Sequence, residues 1–323
     1  MAPLVSILIP CYNAERWVGT AVRSALAQTY SHTEVIAIDD GSTDGSRAVL
    51  RQFEPAIAWE AQPNRGGNIT RNRLLALSSG EWIQYLDADD CLLPDKISGQ
   101  LQAITGNNPP DLIYSPHLWE TREGEGVTRP PSAVASYPQP HDLWLLAIRW
   151  QIPQTGGLLL RRQALQAVGG WDERIKHCQD YDLWIRLLMA GQSFHYCPPA
   201  RAVYRWWCSG TMTRRNRAEV YQARLNIQDR IEQYLAQTQQ LFPTRLEALK
   251  QVRFEYARRI YSWDRAWATQ LAERIESQDP SFRPDPTVAP GSYRLAYRLL
   301  GFRGAERLAH AKRYLASHVR SHS

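Results

Sequence analysis

The sequence predicts an α/β fold: a mostly parallel central sheet flanked by helices, followed by an α-helical C-terminal extension. In the first 115 residues, short apolar runs typical of buried strands alternate with longer segments of helical periodicity. Such alternation indicates crossover connections, and therefore a parallel sheet. Beyond Arg214 the strand-like runs stop, and long segments rich in Arg, Ala, Leu, Gln and Tyr follow.

The first 115 residues are predicted to contain five strands and four helices. The strands are expected over residues 5–10, 34–38, 57–60, 82–86 and 112–115. The helices are expected over residues 15–29, 44–53, 69–77 and 95–104. Ser42 or Thr43 is predicted to cap the second helix, and Pro94 to be the first residue of the fourth.

The rest of the chain is less regular. Residues 120–140 are rich in Gly, Pro, Ser and charge, which predicts a long loop. Helices are predicted over 141–148, 163–168 and 180–190, and strands over 157–161, 193–197 and 203–207. Three long helices are expected over 219–241, 245–277 and 292–317, with a Pro-rich spacer over 279–290.

The composition is that of a soluble globular protein. Of the 323 residues, 44% are hydrophobic and 22% charged, and there is no run of about 18 apolar residues that would predict a spanning helix. The apolar run at residues 4–9 lacks a basic flank and a cleavage site, so a strand is expected there rather than a signal peptide. The five cysteines are odd in number and lack paired spacing, so they fit neither a zinc site nor a disulfide framework. This pattern favours a protein of the reducing cytoplasm.

The positive charge is concentrated in the tail. Residues 1–210 carry 18 Lys+Arg and 21 Asp+Glu, whereas residues 211–323 carry 20 and 11. The net charge of +6 therefore does not indicate nucleic-acid binding by the α/β part. Residues 293–303, with Arg307, Lys312 and Arg313, could form a basic amphipathic helix on anionic lipid, giving peripheral membrane contact. We favour a helix packed on the protein with a solvated basic face.

Three carboxylates directly follow the fourth predicted strand. Asp87, Asp89 and Asp90 lie within four positions of one another after the apolar run 82–86. Ligands of parallel α/β sheets bind outside the carboxyl ends of strands. Because neighbouring carboxylates repel one another, a bound cation or phosphate-bound metal is expected between them.

Polar and aromatic groups also follow the first two strands. The first strand ends in Pro10-Cys-Tyr12-Asn13 and the second in Asp39-Asp-Gly-Ser-Thr-Asp44. An aromatic ring can stack on a base, and a carboxylate can accept a base N–H. Asn64-Arg-Gly-Gly leads into a helix that carries Arg71, whose guanidinium suits a phosphate.

These motifs, in this order, resemble the glycosyltransferase family 2 pattern on the GT-A fold. The resemblance rests on five stretches and covers roughly residues 3–210, about two-thirds of the chain. The stretches are Ser6-Ile-Leu-Ile-Pro-Cys-Tyr-Asn13, Ile38-Asp-Asp-Gly-Ser-Thr-Asp44, Asn64-Arg-Gly-Gly, Thr70-Arg-Asn72 and Leu86-Asp-Ala-Asp-Asp90.

The resemblance implies a role for each matched residue on the donor side. The donor nucleotide would be bound by Pro10, Tyr12, Asn13, Asp39, Arg71 and Asp87. Among these, Tyr12 would lie against the base, and Asp39 would bind the edge of a uracil-type base. Asp87 and Asp89 would form the DxD element, with Asp89 the direct ligand of Mn²⁺ or Mg²⁺. Residues 1–115 would be the nucleotide-sugar-binding half of a catalytic domain, 116–213 the acceptor-binding half, and 214–323 the helical, basic extension.

The acceptor side is expected around residues 169–186. The family usually has a Glu-Asp pair there, and this sequence has Gln179-Asp180. Asp180 is therefore the candidate general base, while Gln179 puts in doubt any acceptor contact that the Glu makes in relatives. Capping of the following helix is the structural alternative for Asp180.

Further contacts are weaker predictions. Arg205 could contact phosphate or pair with a core acid. Trp207 precedes a basic stretch, 209–215, and stands at a position where relatives often have a His. His117 and Trp119 are candidates on the acceptor or metal side, although a lone His is more often structural.

The sequence thus predicts an inverting, divalent-metal-dependent glycosyltransferase that moves a sugar from a nucleotide-sugar donor, expected to be a UDP-sugar, to a hydroxyl acceptor. The acceptor would be a glycan, a lipid-linked glycan or a small molecule, with a role in cell-surface polysaccharide synthesis. One alternative is a nucleotidyltransferase, which would normally need a Gly-rich basic loop after the first strand. The other is a catalytically degenerate carbohydrate-binding protein, in which Gln179 marks lost catalysis.

Overall fold

Two sheets organise the N-terminal two-thirds of the protein in the computed structural model, which describes residues 2–104, 109–123, 126–133, 142–207 and 216–320. The strands are β1 (Val5–Cys11), β2 (Thr33–Asp40), β3 (Ala58–Gln62), β4 (Trp82–Tyr85), β5 (Cys91–Leu92), β6 (Leu112–Tyr114), β7 (His117–Glu123), β8 (Gly126–Ala133), β9 (Leu158–Arg161), β10 (Phe194–Tyr196) and β11 (Ala202–Trp207). The helices are α1 (Val18–Leu26), α2 (Ser46–Arg51), α3 (Gly67–Leu77), α4 (Lys96–Gln102), α5 (Leu143–Ile148), α6 (Arg162–Ala167), α7 (Gln179–Met189), α8 (Arg217–Gln237), α9 (Pro243–Ile260), α10 (Arg265–Gln278) and α11 (Gly291–Arg320).

The larger sheet has seven strands in the order β10-β6-β9-β4-β1-β2-β3. Strands β1 to β4 pair in parallel, as do β6 and β10, whereas β9 runs antiparallel to both of its neighbours. The central strand β1 is fully buried at Val5, Ile7, Leu8 and Ile9. The mainly apolar run of β1 suits a strand that is covered on both faces, and the parallel pairings confirm the predicted, mostly parallel sheet.

The smaller sheet corrects the predicted loop at residues 120–140. Strands β7 and β8 pair antiparallel, and β7 also pairs in parallel with β11, giving the order β5-β11-β7-β8. The Gly and Pro residues of this stretch predicted a loop, whereas Trp119 and Thr121 of β7 pair with Tyr204 and Trp206 of β11, residue types that favour strands. The rest of the predicted loop, 134–140, lies outside the described residues.

Helix boundaries give three further corrections. Neither Ser42 nor Thr43 caps α2, because the helix begins at Ser46, whose backbone N–H donates to Asp44 Oδ1 at 3.0 Å. Pro94 lies before α4, which has Asp95 at its N-cap position. The helix predicted over 245–277 is two helices, since Asp264 starts α10 by accepting from the Trp267 N–H at 2.9 Å.

The chain divides into two compact units. The first comprises residues 1–143 and 151–220, and the second residues 144–150 and 221–323. The second unit is helical, and its core includes Phe254, Ile260, Ala268, Tyr293 and Phe302. Helix α11 is interrupted at Gly301, which has a φ of +65°. Within the described ranges, no helix combines the length and apolarity needed to cross a membrane.

Candidate active site

Three neighbouring strand ends bring the predicted donor residues to one edge of the large sheet. Cys11 at the end of β1 pairs with Asp39 of β2, and Leu8 pairs with Tyr85 at the end of β4. Tyr12, Asp39 and Asp87 therefore follow, or end, adjacent strands. This edge is where a parallel α/β sheet binds ligands.

Asp39 is buried and held by one of its two oxygens. Its Oδ2 accepts from Arg47 Nε at 2.6 Å and from the Ser42 N–H at 3.2 Å. Its Oδ1 is buried and lacks a hydrogen-bond partner in the described part of the chain. An unpaired buried carboxylate oxygen is costly, so this atom is suited to accept an N–H from a ligand.

Residues 10–13 form the rim beside Asp39. Pro10 is half-buried, whereas Tyr12 is 52% exposed, leaving its ring available for stacking. Asn13 has a φ of +48°, and its Oδ1 accepts from the Thr43 N–H at 2.8 Å. The Asn13 side chain thus fixes the loop after β2, a positioning contact that the motif alone did not show.

Asp40 shapes the loop that precedes α3. Its Oδ1 accepts from the Arg65 N–H and its Oδ2 from the Gly66 N–H, both at 2.9 Å. Gly41 must be glycine, because its φ is +76° and a Cβ there would lie 2.5 Å from the Asn64 nitrogen. These contacts fix the start of the helix that carries Arg71.

Arg71 connects the donor edge to the predicted catalytic segment. Its Nη2 donates to Asp87 Oδ1 at 2.7 Å, and its Nη1 donates to Gln179 Oε1 at 3.3 Å. Its guanidinium lies over the Trp171 ring, 4.7 Å from the centroid. Gln179 is therefore a neutral acceptor from Arg71, next to the candidate base Asp180.

Helix α3 also positions residues 169–180. Asn72 exchanges two hydrogen bonds of 2.8 Å with the backbone of Trp171. Asn68 Nδ2 donates to the Asp172 carbonyl at 2.6 Å. Gly170 has a φ of +70°, and a Cβ there would lie 2.6 Å from Asn72 Oδ1. The segment before α7 is thus held against the helix that carries Arg71.

Asp180 lies at the start of α7, close to the donor edge. Burial raises the pKa of its carboxyl, while hydrogen bonds from the backbone N–H groups of Tyr181 and Asp180 itself lower it. The charge of Arg71 also lowers this pKa, and that of Asp87 raises it. Asp180 therefore takes part in the site's electrostatics, and it does not occupy the capping position, because it is the second residue of α7 and the N-cap residue is Cys178.

The three acids after β4 have different environments. Asp90 is buried, and it accepts from Gln154 Nε2 at 2.7 Å and from the Arg205 N–H at 2.9 Å. Burial and the charge of Asp87 raise the pKa of Asp89 to about 6. Asp90 therefore anchors the acid loop to β11, which leaves Asp87 and Asp89 as the candidate metal-binding pair.

This pair fits a divalent ion that is shared with a substrate. Among the described residues no group of three or more His, Cys, Asp or Glu side chains could hold a metal. Mg²⁺ is usually bound by one or two carboxylates together with substrate phosphates, rather than by an all-protein cage. Asp87 and Asp89 supply two hard oxygen donors next to each other, which suits Mg²⁺ or Mn²⁺ on a diphosphate.

The small sheet carries an aromatic face formed by His117, Trp119 and Tyr204. The rings of Trp119 and Tyr204 are 5.1 Å apart, and those of His117 and Tyr204 are 5.9 Å apart. Burial lowers the pKa of His117 to about 4, so this imidazole is neutral at pH 7. The pKa of the Tyr204 hydroxyl is raised by burial and then by the charges of Asp90, Asp89, Asp87 and Asp180.

Tyr204 is the residue that the sequence interpretation missed. It stands in the stretch Tyr204-Arg-Trp-Trp207, but the prediction chose its neighbours. The register of β11 against β7, with Tyr204 opposite Trp119, places it in the aromatic face. The alternation of a strand could have indicated that Tyr204 and Arg205 point to opposite faces.

Arg205 is engaged inside the protein. Its Nε donates to Glu120 Oε1 at 3.0 Å, and both side chains are buried. Of the two roles considered for Arg205, the structure shows the pairing with a core acid. The side chain of Trp207 and residues 208–215 lie outside the described residues.

A surface hollow of about 400 Å³ lies beside residues 168–174, the segment before α7. Its lining consists of Asn72, Val168, Gly169, Trp171, Asp172, Glu173, Arg174 and Arg186. Arg174 pairs with Asp172, and Arg186 with Asp182, so the charges of the hollow are largely compensated. The acids and the unpaired Asp39 oxygen identify the strand edge, rather than this hollow, as the candidate site.

Comparison with known proteins assigns the class. Residues 6–169 match the family model described as Glycosyl transferase family 2, which is about half of the chain. The chain belongs to this family.

Two curated relatives are uncharacterized glycosyltransferases. The one from Rickettsia typhi is 28% identical over 197 residues, which covers 58% of this chain and 59% of that protein. The one from Nostoc sp. is 30% identical over 172 residues, covering 51% and 52%. This chain thus spans between half and three-fifths of the length of these two relatives.

Solved structures confirm the predicted GT-A fold. Residues 1–349 of S. aureus TarS in complex with UDP-GlcNAc align with a TM-score of 0.55 at 17% identity, covering 85% of this chain and 77% of that one. The mannosyltransferase PcManGT from Pyrobaculum calidifontis, in complex with GDP-Man and Mn²⁺, aligns with a TM-score of 0.51 at 17% identity, covering 98% and 88%.

Proposed function

We propose that this protein is an inverting glycosyltransferase that moves a sugar from a nucleoside-diphosphate sugar to a hydroxyl acceptor. The observation that carries the proposal is the position of Arg71, which bonds both Asp87 at the donor edge and Gln179 next to Asp180. This link brings a diphosphate-binding edge and a candidate base into one site. The family membership and the ligands of the two solved neighbours support it.

The donor base would lie between Tyr12 and Asp39. The unpaired Asp39 Oδ1 is an acceptor for the N3–H of uracil, and the exposed Tyr12 ring offers a stacking surface. A cytosine has an acceptor at N3 and would be repelled there. These two features support a UDP-sugar as the donor.

The chemical step would be a single displacement. Asp180 removes the proton of the acceptor hydroxyl while the hydroxyl oxygen forms a bond to the anomeric carbon of the donor sugar. On the opposite face of that carbon, its bond to the diphosphate oxygen breaks. Arg71 offsets the negative charge that develops on the diphosphate. A divalent ion held by Asp87 and Asp89 would supply Lewis-acid stabilisation of the same leaving group.

The aromatic face is proposed as part of the acceptor-binding half, residues 116–213. Trp119 and Tyr204 offer surfaces on which a sugar ring can stack, and the charges of the acids act on the Tyr204 hydroxyl. A neutral His117 could bond a hydroxyl, because its buried Nδ1 has no hydrogen-bond partner in the described ranges. An acceptor sugar in a cell-surface polysaccharide would suit such a face. Cys11 and Cys197 are free thiols, which supports a cytoplasmic location.

The alternative of a degenerate binding protein rests on Gln179. However, Gln179 accepts a hydrogen bond from Arg71, and the neighbouring residue is the candidate base Asp180, which supports the catalytic proposal over this alternative. The distinguishing measurement is release of UDP from a panel of UDP-sugars, each with a panel of glycan and lipid-linked acceptors, with and without Mn²⁺ or Mg²⁺. Turnover with any pair supports the proposal. Nucleotide binding without product across the panel supports the alternative, and absence of nucleotide binding refutes both.

A further inference from the structure

The outer face of α11 combines exposed leucines with cationic side chains. Leu295, Leu299, Leu300 and Leu308 are 58%, 72%, 57% and 54% exposed. Single exposed leucines are ordinary on protein surfaces, but four within fourteen residues, on the two helical segments that meet at Gly301, are not explained by core packing. The inner face of this helix fills the core of the second unit through Tyr293, Tyr297, Phe302 and Ala305.

The charge on this outer face has one sign. Gly291–Arg320 contains seven Lys+Arg, and its single acidic residue, Glu306, is fully buried. Arg298, Arg307 and Lys312 are exposed and form no ion pair with any described residue, whereas Arg303 pairs with Glu273 at 2.8 Å. Arg298 and Leu299 both lie one helical turn after Leu295, so charged and apolar side chains are neighbours on this surface.

We propose that the outer face of α11, by which we mean its exposed residues Leu295, Arg298, Leu299, Leu300, Arg307 and Leu308 on both sides of the Gly301 break, binds the surface of an anionic lipid bilayer. Leucines can enter the boundary between headgroups and acyl chains while the arginines remain at the phosphates. The absence of an exposed acid among the described side chains of this helix matches a negatively charged surface. This replaces the expectation of a merely solvated basic face, because the leucines are as exposed as the charges.

A second copy of the chain is the competing occupant. The exposed leucines of two copies could pack against each other. However, Arg298 and Arg307 of one copy would then face the same arginines of the other copy, and these charges repel unless acidic side chains lie between them. Anionic phosphates match this charge directly, since each Lys or Arg near such a surface strengthens binding about fivefold. The two occupants therefore differ in their response to lipid composition and to salt.

The test is co-sedimentation of the full chain with vesicles of phosphatidylcholine alone, or with about 30% phosphatidylglycerol, a composition that gives the negative surface potential required. We expect binding to the anionic vesicles that is largely lost at about 1 M salt, where the Debye length is about 3 Å. L295S/L299S should weaken binding by at least about tenfold, and R298E/R307E should abolish it. Leu26→Ser and Arg51→Glu, exposed positions in the first unit, are matched controls and should bind normally.

Three results would overturn the proposal. The first is equal binding to neutral and anionic vesicles, and the second is unchanged binding of the α11 variants. The third is a concentration-dependent dimer in light scattering that L295S/L299S abolishes while vesicles fail to bind. UDP binding of each variant, measured without vesicles, separates failure of this inference from failure of the proposed catalytic function.

Discussion

Arg71 Nη2 donates to Asp87 Oδ1 at 2.7 Å while the same guanidinium contacts Gln179. Asp87 follows the fourth strand of the chain, and Gln179 opens a helix more than 90 residues later. One side chain therefore sets the separation between the donor edge and the candidate base. It also carries the positive charge that an incoming diphosphate needs.

Arg71→Met should weaken UDP binding about 10- to 100-fold, because a hydrogen bond to a charged group contributes about 1.5–3 kcal/mol. Since the charge of Arg71 lowers the pKa of Asp180, its removal should also move the acidic limb of the pH–rate profile to higher pH. Titration calorimetry and initial rates check the two effects. The control is Arg73→Met on the same helix, where the arginine pairs with Glu60. Equal losses in both variants would contradict the assignment.

Asp39→Asn should change which base is bound. Arg47 and the Ser42 N–H require an acceptor at the Oδ2 position, so the NH₂ group of the introduced amide would take the place of the unpaired Oδ1. The N–H groups at this position would face the N3–H of uracil, which is also a hydrogen-bond donor, and would be repelled. They could instead donate to N3 of cytosine, which is an acceptor. UDP affinity should fall about 10- to 100-fold and CDP affinity should rise. Asp95→Asn, at a surface pair with Arg201, should leave both unchanged. Equal loss for UDP and CDP would argue against base contact.

The parts of the site that the sequence could predict are those carried by single strands. Tyr12, Asp39 and Asp87 follow strands whose apolar runs are plain in the sequence, and parallel pairing then brings them to one edge. The Asn72–Trp171 backbone contacts, by contrast, join residues about 100 positions apart, and no local pattern specifies them. Strand β11 of the small sheet was predicted over residues 203–207, but its partner β7 was not, because the two strands are about 80 residues apart in the chain. The place of Tyr204 beside Trp119 was therefore visible only in the structure.

Metal-dependent UDP binding should weaken as the pH falls below about 6. The pKa of Asp89 is raised to about 6, so its metal-binding carboxylate is present above that pH and is progressively protonated below it. Mn²⁺ must then displace a proton, which costs about tenfold in affinity per pH unit well below the pKa. UDP titrations with Mn²⁺ and with EDTA, from about pH 5 to 8, separate this effect from direct nucleotide binding. Asp89→Asn should bind UDP equally in both conditions, and retained Mn²⁺ stimulation would contradict the metal assignment.

Asp180→Asn should separate catalysis from binding. The amide cannot accept the acceptor proton, so turnover should fall about 10²- to 10⁴-fold, the range for a positioned general base. UDP affinity should stay within about twofold, because Asp180 bonds to its own helix rather than to the donor edge. Asp172→Asn, in the same segment but paired with Arg174 at the surface, is the matched control and should keep most activity. A large loss of UDP affinity in D180N would identify a structural role.

Arg205→Met should lower stability and leave nucleotide binding intact. The guanidinium pairs with Glu120, and both side chains are buried, so the variant removes the cation from a buried carboxylate. Such a loss costs about 3–5 kcal/mol, or roughly 6–20 °C in Tm for a unit of this size. The double variant R205M/E120Q should recover part of that loss, because the buried charge is then removed as well. UDP affinity of the folded protein is the deciding measurement. If it falls while Tm does not, Arg205 contacts phosphate in solution, and its pairing with Glu120 is not the interaction that matters.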